Sequence, residues 1–301
     1  MAYYVAVKTA VLIIFLSLPA LADFAGGERA FRSGDYATAF KEFLPLAKQG
    51  NADAQFNLGL IYLSGLSVPQ DYKEAAKWDR LAADQGHAGA QANLGRLYDL
   101  GLGVNQDYNE AMRWYRLAAD QGNAGAQSFL GEAYEEGHGV PQDFTEAAKW
   151  YRLAAEQGNA AAQQGLGFIY REGRGVPKDY TEAIRWYRLA ADQGNALGQY
   201  NLGLIFDAGW GVPQDYREAV KWYRLAADQG HAGGQSGLGY LYEQGHGVPQ
   251  DYIQAHMWFN LAGASTVDFV KDRDRVAKKM TPGQIAEAQR LAREWKPKVS
   301  R

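Results

Sequence analysis

The sequence predicts an all-α solenoid built from helix-turn-helix pairs, and three observations carry that prediction. A 36-residue block recurs six times, starting at Ala52, Ala88, Ala124, Ala160, Ala196 and Ala232. Inside each block, apolar residues return at helical spacing in two separate stretches. Glycine-marked turns join the stretches, and the turn between blocks is too short to hold a strand.

The repeat is legible because it is strict. Gln55, Gln91, Gln127, Gln163, Gln199 and Gln235 align, as do Leu58, Leu94, Leu130, Leu166, Leu202 and Leu238. Trp78, Trp114, Trp150, Trp186, Trp222 and Trp258 align as well. Helix A of the first block places Ala54, Leu58, Ile61 and Tyr62 on one face. Gly59 and its equivalents sit beside that face, where a missing Cβ admits a close neighbour at about 1 kcal/mol of helix propensity.

Helix A should end in a loop of the form Gly137-His138-Gly139-Val140-Pro141-Gln142-Asp143. The first Gly suits a left-handed cap, and Pro holds the preceding Val out of helical geometry. Asp143 then opens helix B, with Glu146 at capping-box spacing. The same pair recurs as Asp71/Glu74, Asp107/Glu110, Asp179/Glu182 and Asp215/Glu218. Helix B is expected to bury Ala75, Trp78, Leu81 and Ala82, and to carry outer pairs such as Arg116/Asp120. It stops at Gln-Gly-Asn or Gln-Gly-His, where Asn or His can cap the next helix A.

One helical pair cannot bury its own apolar face, so the pairs must stack and be closed by caps. Residues 23–51 read as a half repeat in which Ser33-Gly34-Asp35-Tyr36 replaces the long loop. The repeats occupy 52–264, and 265–301 reads as a helical cap with a basic tail. There, Ser265 with Asp268 should start one helix and Thr281-Pro282-Gly283-Gln284 the last, with Ile285, Ala288, Ala292 and Trp295 on one side.

The first 22 residues differ from the rest. Met1–Ala22 holds one charge, Lys8, then the run Val11-Leu12-Ile13-Ile14-Phe15-Leu16, and closes on Ala20-Leu21-Ala22. The apolar stretch is too short to cross about 30 Å of hydrocarbon. It reads as a cleavable export signal with Asp23 as the mature N-terminus; an uncleaved anchor is the alternative. The chain would then be periplasmic or secreted, with no transmembrane segment after cleavage. It has no cysteine, so neither disulfides nor thiol chemistry are available to it.

The consensus A-x-x-Q-x-x-L-G-x-x-Y-x-x-G-x-G-V-P-x-D-Y-x-E-A-x-x-W-Y-x-x-A-A-x-Q-G resembles the Sel-one-like repeat, a relative of the tetratricopeptide repeat. The resemblance implies a right-handed α/α superhelical solenoid whose A helices line the concave side. It also implies work as an adaptor, with exported members tied to envelope assembly, exopolysaccharide regulation or host interaction. A cysteine-rich branch of the family is associated with penicillin binding or hydrolysis; the absence of cysteine here argues against carrying that over.

Chemistry of other kinds is hard to find in the sequence. The Gly-x-Gly pairs, such as Gly101/Gly103 and Gly173/Gly175, lack the strand and third glycine of a phosphate loop. The five histidines do not converge as metal ligands would. There is no Gly-x-Ser-x-Gly elbow and no Ser-x-x-Lys. We therefore expect no catalytic, metal or cofactor site. Residues 271–301 carry a net charge of +6 and the remainder of the mature chain −10, which argues against nucleic acid.

What varies between repeats is free for recognition. Three helix-A positions vary and share one stripe. Its members Phe56, Leu60, Phe168, Tyr200, Leu204 and Tyr240 would be apolar anchors, and Arg96, Glu132 and Arg171 would set register. Packing between neighbouring A helices is the competing role for the aromatics. Trp210 stands in a loop slot that elsewhere holds Leu66, Leu102, His138, Arg174 and His246, and is a further anchor candidate. The expected partner is a protein; a cell-envelope polymer such as peptidoglycan or exopolysaccharide is the alternative, and β-lactam or cell-wall hydrolysis a third reading.

Overall fold

The computed structural model describes residues 23–265 and 268–298, and among them forms sixteen α-helices and no strand. The export-signal reading of Met1–Ala22 lies outside the described residues, as does the side chain of Ser265. The chain divides into two compact units, one ending at Gln85 and one beginning at Gly86.

The first unit holds α1 (Phe24–Ser33), α2 (Tyr36–Lys48), α3 (Ala52–Ser64) and α4 (Tyr72–Ala83). Its core gathers Phe43, Ala47, Ala54, Leu58, Ile61 and Trp78. In the second unit, A helices alternate with B helices: α5 (Ala88–Leu100), α6 (Tyr108–Asp120), α7 (Ala124–Glu136), α8 (Phe144–Glu156), α9 (Ala160–Glu172) and α10 (Tyr180–Asp192). There follow α11 (Ala196–Ala208), α12 (Tyr216–Asp228), α13 (Ala232–Gln244) and α14 (Tyr252–Ser265), then the cap helices α15 (Asp268–Ala277) and α16 (Pro282–Glu294). In this unit α6, α8, α10 and α12 each pack on their own A helix and on the next one along.

Caps set these boundaries. Asp107, Asp143, Asp179 and Asp215 each accept two backbone N–H bonds from the first turn of their B helix. The expected glutamate half of the capping box is replaced by an ion pair three residues on, Glu110 with Arg113 at 3.1 Å and Glu146 with Lys149 at 2.6 Å. A lysine or arginine at that spacing competes better for a carboxylate than a backbone amide does. The reciprocal box does form at Thr281 and Gln284. His87 and His231 cap as asparagine does, through Nδ1 at 3.1 Å from Ala90 N and from Gly234 N.

Helix A and helix B are locked by a ring against a glycine. A Cβ on Gly131 would lie 2.4 Å from the Tyr151 ring, and one on Gly203 would lie 2.3 Å from the Tyr223 ring. The room that glycine leaves is thus filled by an aromatic side chain. Restoring a Cβ forces the ring aside, at about 1–3 kcal/mol. Asp79 takes the ring's place in the first repeat.

The repeated glutamine is a strap between neighbouring pairs. Gln163 accepts from Gln193 Nε2 at 2.7 Å and donates to the Ala155 carbonyl at 3.1 Å, one repeat back. The same double bond runs through Gln127, Gln199 and, in the first unit, Gln55. A buried amide with both ends bonded fixes register at little desolvation cost.

Two expectations for helix B need correction. Leu81 is 43% exposed, and Leu117, Leu153, Leu189 and Leu225 are 40–46% exposed. The B helix buries the residue two before it instead, Asp79 or the matching Tyr, because that side enters the glycine gap. Arg116 donates to the Tyr134 hydroxyl of the next repeat at 2.7 Å in place of the expected pairing with Asp120; Arg224 does the same to Tyr242 at 2.6 Å.

The second unit closes on α15 and α16. Ala288 and Ala292 are buried, and Trp295 meets Trp258 edge-on, with ring centroids 6.3 Å apart. Lys298 reaches back to Asp228 at 2.7 Å.

Candidate functional site

A groove of about 630 Å³ runs along the A-helix face of α7, α9 and α11. Glu132, Glu135 and Glu136 come from α7, Phe168 and Arg171 from α9, and Leu197, Tyr200, Asn201 and Leu204 from α11. At the place where the repeat of α7 has Phe129, packed on Tyr115 with centroids 5.1 Å apart, the next repeat has Gly165. The Tyr151 ring is left to form part of the groove wall. A second groove of about 270 Å³ opens beside Gly237, which stands at the same place two repeats later and lies against the Tyr223 ring.

Five of the stripe residues meet in the larger groove: Glu132, Phe168, Arg171, Tyr200 and Leu204. Tyr240, 46% exposed, lines the smaller one, and Tyr200 and Leu204 border both. Phe56 and Leu60 belong to the first unit, on α3, and are half-buried. Arg96 lies outside the groove. Its guanidinium is 2.7 Å from Asp99 and 3.7 Å from Glu132, and sits over the Phe129 ring. Trp210 is 37% exposed and stacks on Tyr180, centroids 6.1 Å apart, just as His138 stacks on Tyr108 and His246 on Tyr216. That slot is a clasp between a loop and the preceding B helix.

The aromatics combine packing with exposure. Phe168 lies under the guanidinium groups of Arg171 and Arg174, and Tyr200 packs on Tyr223 and His231 while presenting an edge to the groove. Leu197 was missed in the sequence. It is 40% exposed and stands at a helix position where the other repeats have Asp53, Gly89, Gly125, Ala161 and Gly233, a contrast that marks it out.

The groove is acidic and partly desolvated. Burial pushes the Glu132 carboxyl above the ordinary range, against the pull of Arg96. Burial does the same to Glu135, opposed by the hydrogen bond that the Tyr151 hydroxyl donates to it at 2.7 Å. Arg171, the one arginine or lysine of the lining, is engaged by Glu172 at 2.8 Å and by Asn201 at 2.9 Å. Its equivalents are acids that accept from a tyrosine, Asp99 from Tyr115 and Asp207 from Tyr223. Opposite Arg171, the buried Tyr187 hydroxyl has no hydrogen-bond partner among the described residues. Nor do those residues contain a group of three or more histidines and acids placed to hold a metal ion, or a helix long and apolar enough to cross a membrane.

The chain's relationships agree with this architecture. The family model described as Sel1 repeat matches residues 52–87, 88–123, 124–159, 160–195, 196–231 and 232–265. Among solved structures, a Sel1 repeat protein from Oxalobacter formigenes is 35% identical, with a TM-score of 0.74, and the match covers 81% of this chain and 100% of that one. A protective antigen of uropathogenic Escherichia coli with an SLR fold is 26% identical, with a TM-score of 0.43 and 90% of each chain covered. An immunity protein from Pseudomonas aeruginosa is 22% identical, with a TM-score of 0.48 over 74% of this chain and 83% of that one. No curated protein matches the sequence.

Proposed function

The chain belongs to the Sel1 repeat family, and on that premise we propose that it is an exported scaffold that binds a protein partner in the cell envelope through its helix-A face and catalyses no reaction. Sel1 repeats generally mediate protein interactions. The observation that carries the reading to this surface is the groove on α7, α9 and α11. Its walls are built largely from positions that differ between repeats, while the positions that repeat hold the fold. A concave site with a few apolar side chains and flanking charges is the usual form of a binding hot spot. The export half rests on the pattern of Met1–Ala22.

Capture from cell-envelope extract tests the binding half, with the full chain as bait and Leu197→Asp as its control. Repeat one carries Asp53 at that position, so the helix tolerates the change. A protein held by the bait and lost by the control is the expected result; equal retention by both would remove the groove from the account. Fractionation of the expressed chain, with N-terminal sequencing for a start at Asp23, tests export.

A further inference from the structure

The C-terminal cap covers one carboxylate of the helix-A face with basic side chains of the chain itself. Glu243 of α13 stands three repeats after Glu135, at the same place in the repeat. Its side chain is only 1% exposed, yet it is ionically satisfied. Arg275 of α15 reaches it at 2.6 Å and Lys279, just past that helix, at 2.9 Å. The two bases are four residues apart and approach from outside the repeat. The apolar side of α15 comes down beside them, with Val276 fully buried near Phe259. At this end of the second unit the stripe therefore receives two basic side chains of the chain itself, Arg275 of α15 and Lys279 beyond it, beside the buried Val276.

The groove on α7, α9 and α11 offers the same combination without the helix. Glu135 meets a neutral donor, Tyr151, where Glu243 meets two cations. Glu132 shares Arg96 with Asp99, which holds that guanidinium a full ångström closer. Leu197 and Leu204 supply apolar wall opposite these acids. Partly buried carboxylates without full counter-charge gain most from a partner that brings a cation and excludes water at once.

We infer that this groove docks a cationic segment of the partner protein, whose Arg or Lys side chains meet Glu132 and Glu135 while an apolar side chain seats against Leu197 and Leu204. The inference rests on the proposed binding role of the helix-A face and names the partner chemistry that face accepts. Arginine suits the place best, because its planar fork can bond a carboxylate through two donors.

Fluorescence anisotropy with labelled twelve-residue peptides tests the chemistry directly. One peptide alternates Arg and Leu, a second replaces each Arg by Gln, and a third replaces each Arg by Glu. The full chain is compared with the double variant Glu132→Gln/Glu135→Gln, which keeps the acceptor for Tyr151. A second double variant, Glu110→Gln/Glu146→Gln, makes the same charge change on the B helices. The Arg peptide should bind the wild type, weaken about tenfold on the groove variant, and weaken further with salt. It should be unaffected by the B-helix variant. Equal loss on both variants would reduce the effect to net charge and overturn the inference, as would equal binding of the Gln or Glu peptide. Envelope capture separates this failure from that of the broader reading. Partner retention by Glu132→Gln/Glu135→Gln together with loss on Leu197→Asp sinks the cationic segment alone; retention by both variants sinks the groove as well.

Discussion

Glu135 and Glu243 occupy the same repeat position and live in opposite circumstances. Burial would raise the Glu243 carboxyl, but hydrogen bonds from Arg275 and Lys279 outweigh it and hold the group below the ordinary glutamate value of 4.5. Burial of Glu135 outweighs the hydrogen bond from the Tyr151 phenol and the weaker pull of Arg174, and its carboxyl rises. One site is a closed contact within the chain, and the other a groove carboxylate whose hydrogen-bond donor is a neutral phenol. The difference lies in what covers each residue, since the helices beneath them are built alike.

The largest expected effect comes from opening the closed site. Glu243→Ala takes the buried carboxylate from Lys279, leaves Arg275 with Asp272 alone and removes an anchor of α15. Because both bases are about half exposed, the loss should be about 1–3 kcal/mol, less than for a wholly buried pair. Thermal melting reads the loss, and limited trypsin digestion at Arg273, Arg275 and Lys278 should accelerate. An unchanged melt and digestion would make the contact incidental.

Acidity sharpens the same contrast. A carboxylate with a depressed folded-state value contributes its stability above the unfolded value and loses it as pH falls through the folded one. The stability difference between wild type and Glu243→Gln should therefore be full at neutral pH, begin to shrink below about pH 4.5 and vanish under the folded-state value. Urea unfolding at a series of pH values measures it. A difference that persists in strong acid would mean that shape, and not charge, holds α15.

Tyrosine substitutions give a smaller, paired effect. Tyr223→Phe takes the donor from Asp207, a half-buried acid, and should cost about 1 kcal/mol. Tyr187→Phe removes a buried hydroxyl that has no hydrogen-bond partner among the described residues, and should be neutral or stabilising. Chemical denaturation of the two variants side by side checks the sign. A loss of equal size in both would refute the pairing of hydroxyl and acid.

The smallest effect belongs to the open site. With a raised folded-state value, Glu132 costs stability when ionised, and that cost appears as pH rises through and above its unfolded value. Glu132→Gln should then stabilise the unliganded chain by a few tenths of a kcal/mol at neutral pH, the half-exposed setting keeping the figure small. The gain should fade on acidification. Destabilisation at neutral pH would show that the pairing with Arg96 governs instead.

Much of this molecule could be read before its structure was seen. The A and B helices begin where Asn, His or Asp caps them, and the left-handed glycines fall where helix A must stop. The stripe is legible as variation inside a strict repeat, and Phe168, Tyr200 and Leu204, which that variation marks, line the groove. Leu81 was misjudged because helical spacing marks an apolar arc without saying how much of it a neighbour covers. Arg116 was misjudged because an arginine three or four residues from an acid can also reach a tyrosine in the next repeat.

The sequence by itself determined the period, the helix ends and the positions that repeat, because caps, turns and helical spacing act over a few residues and leave their mark in order along the chain. Only tertiary structure decided which carboxylates are neutralised and which are left facing a groove. Glu135 and Glu243 read alike in one dimension. Their carboxyl groups are shifted in opposite directions because α15, more than twenty residues downstream, folds back on one of them and not on the other.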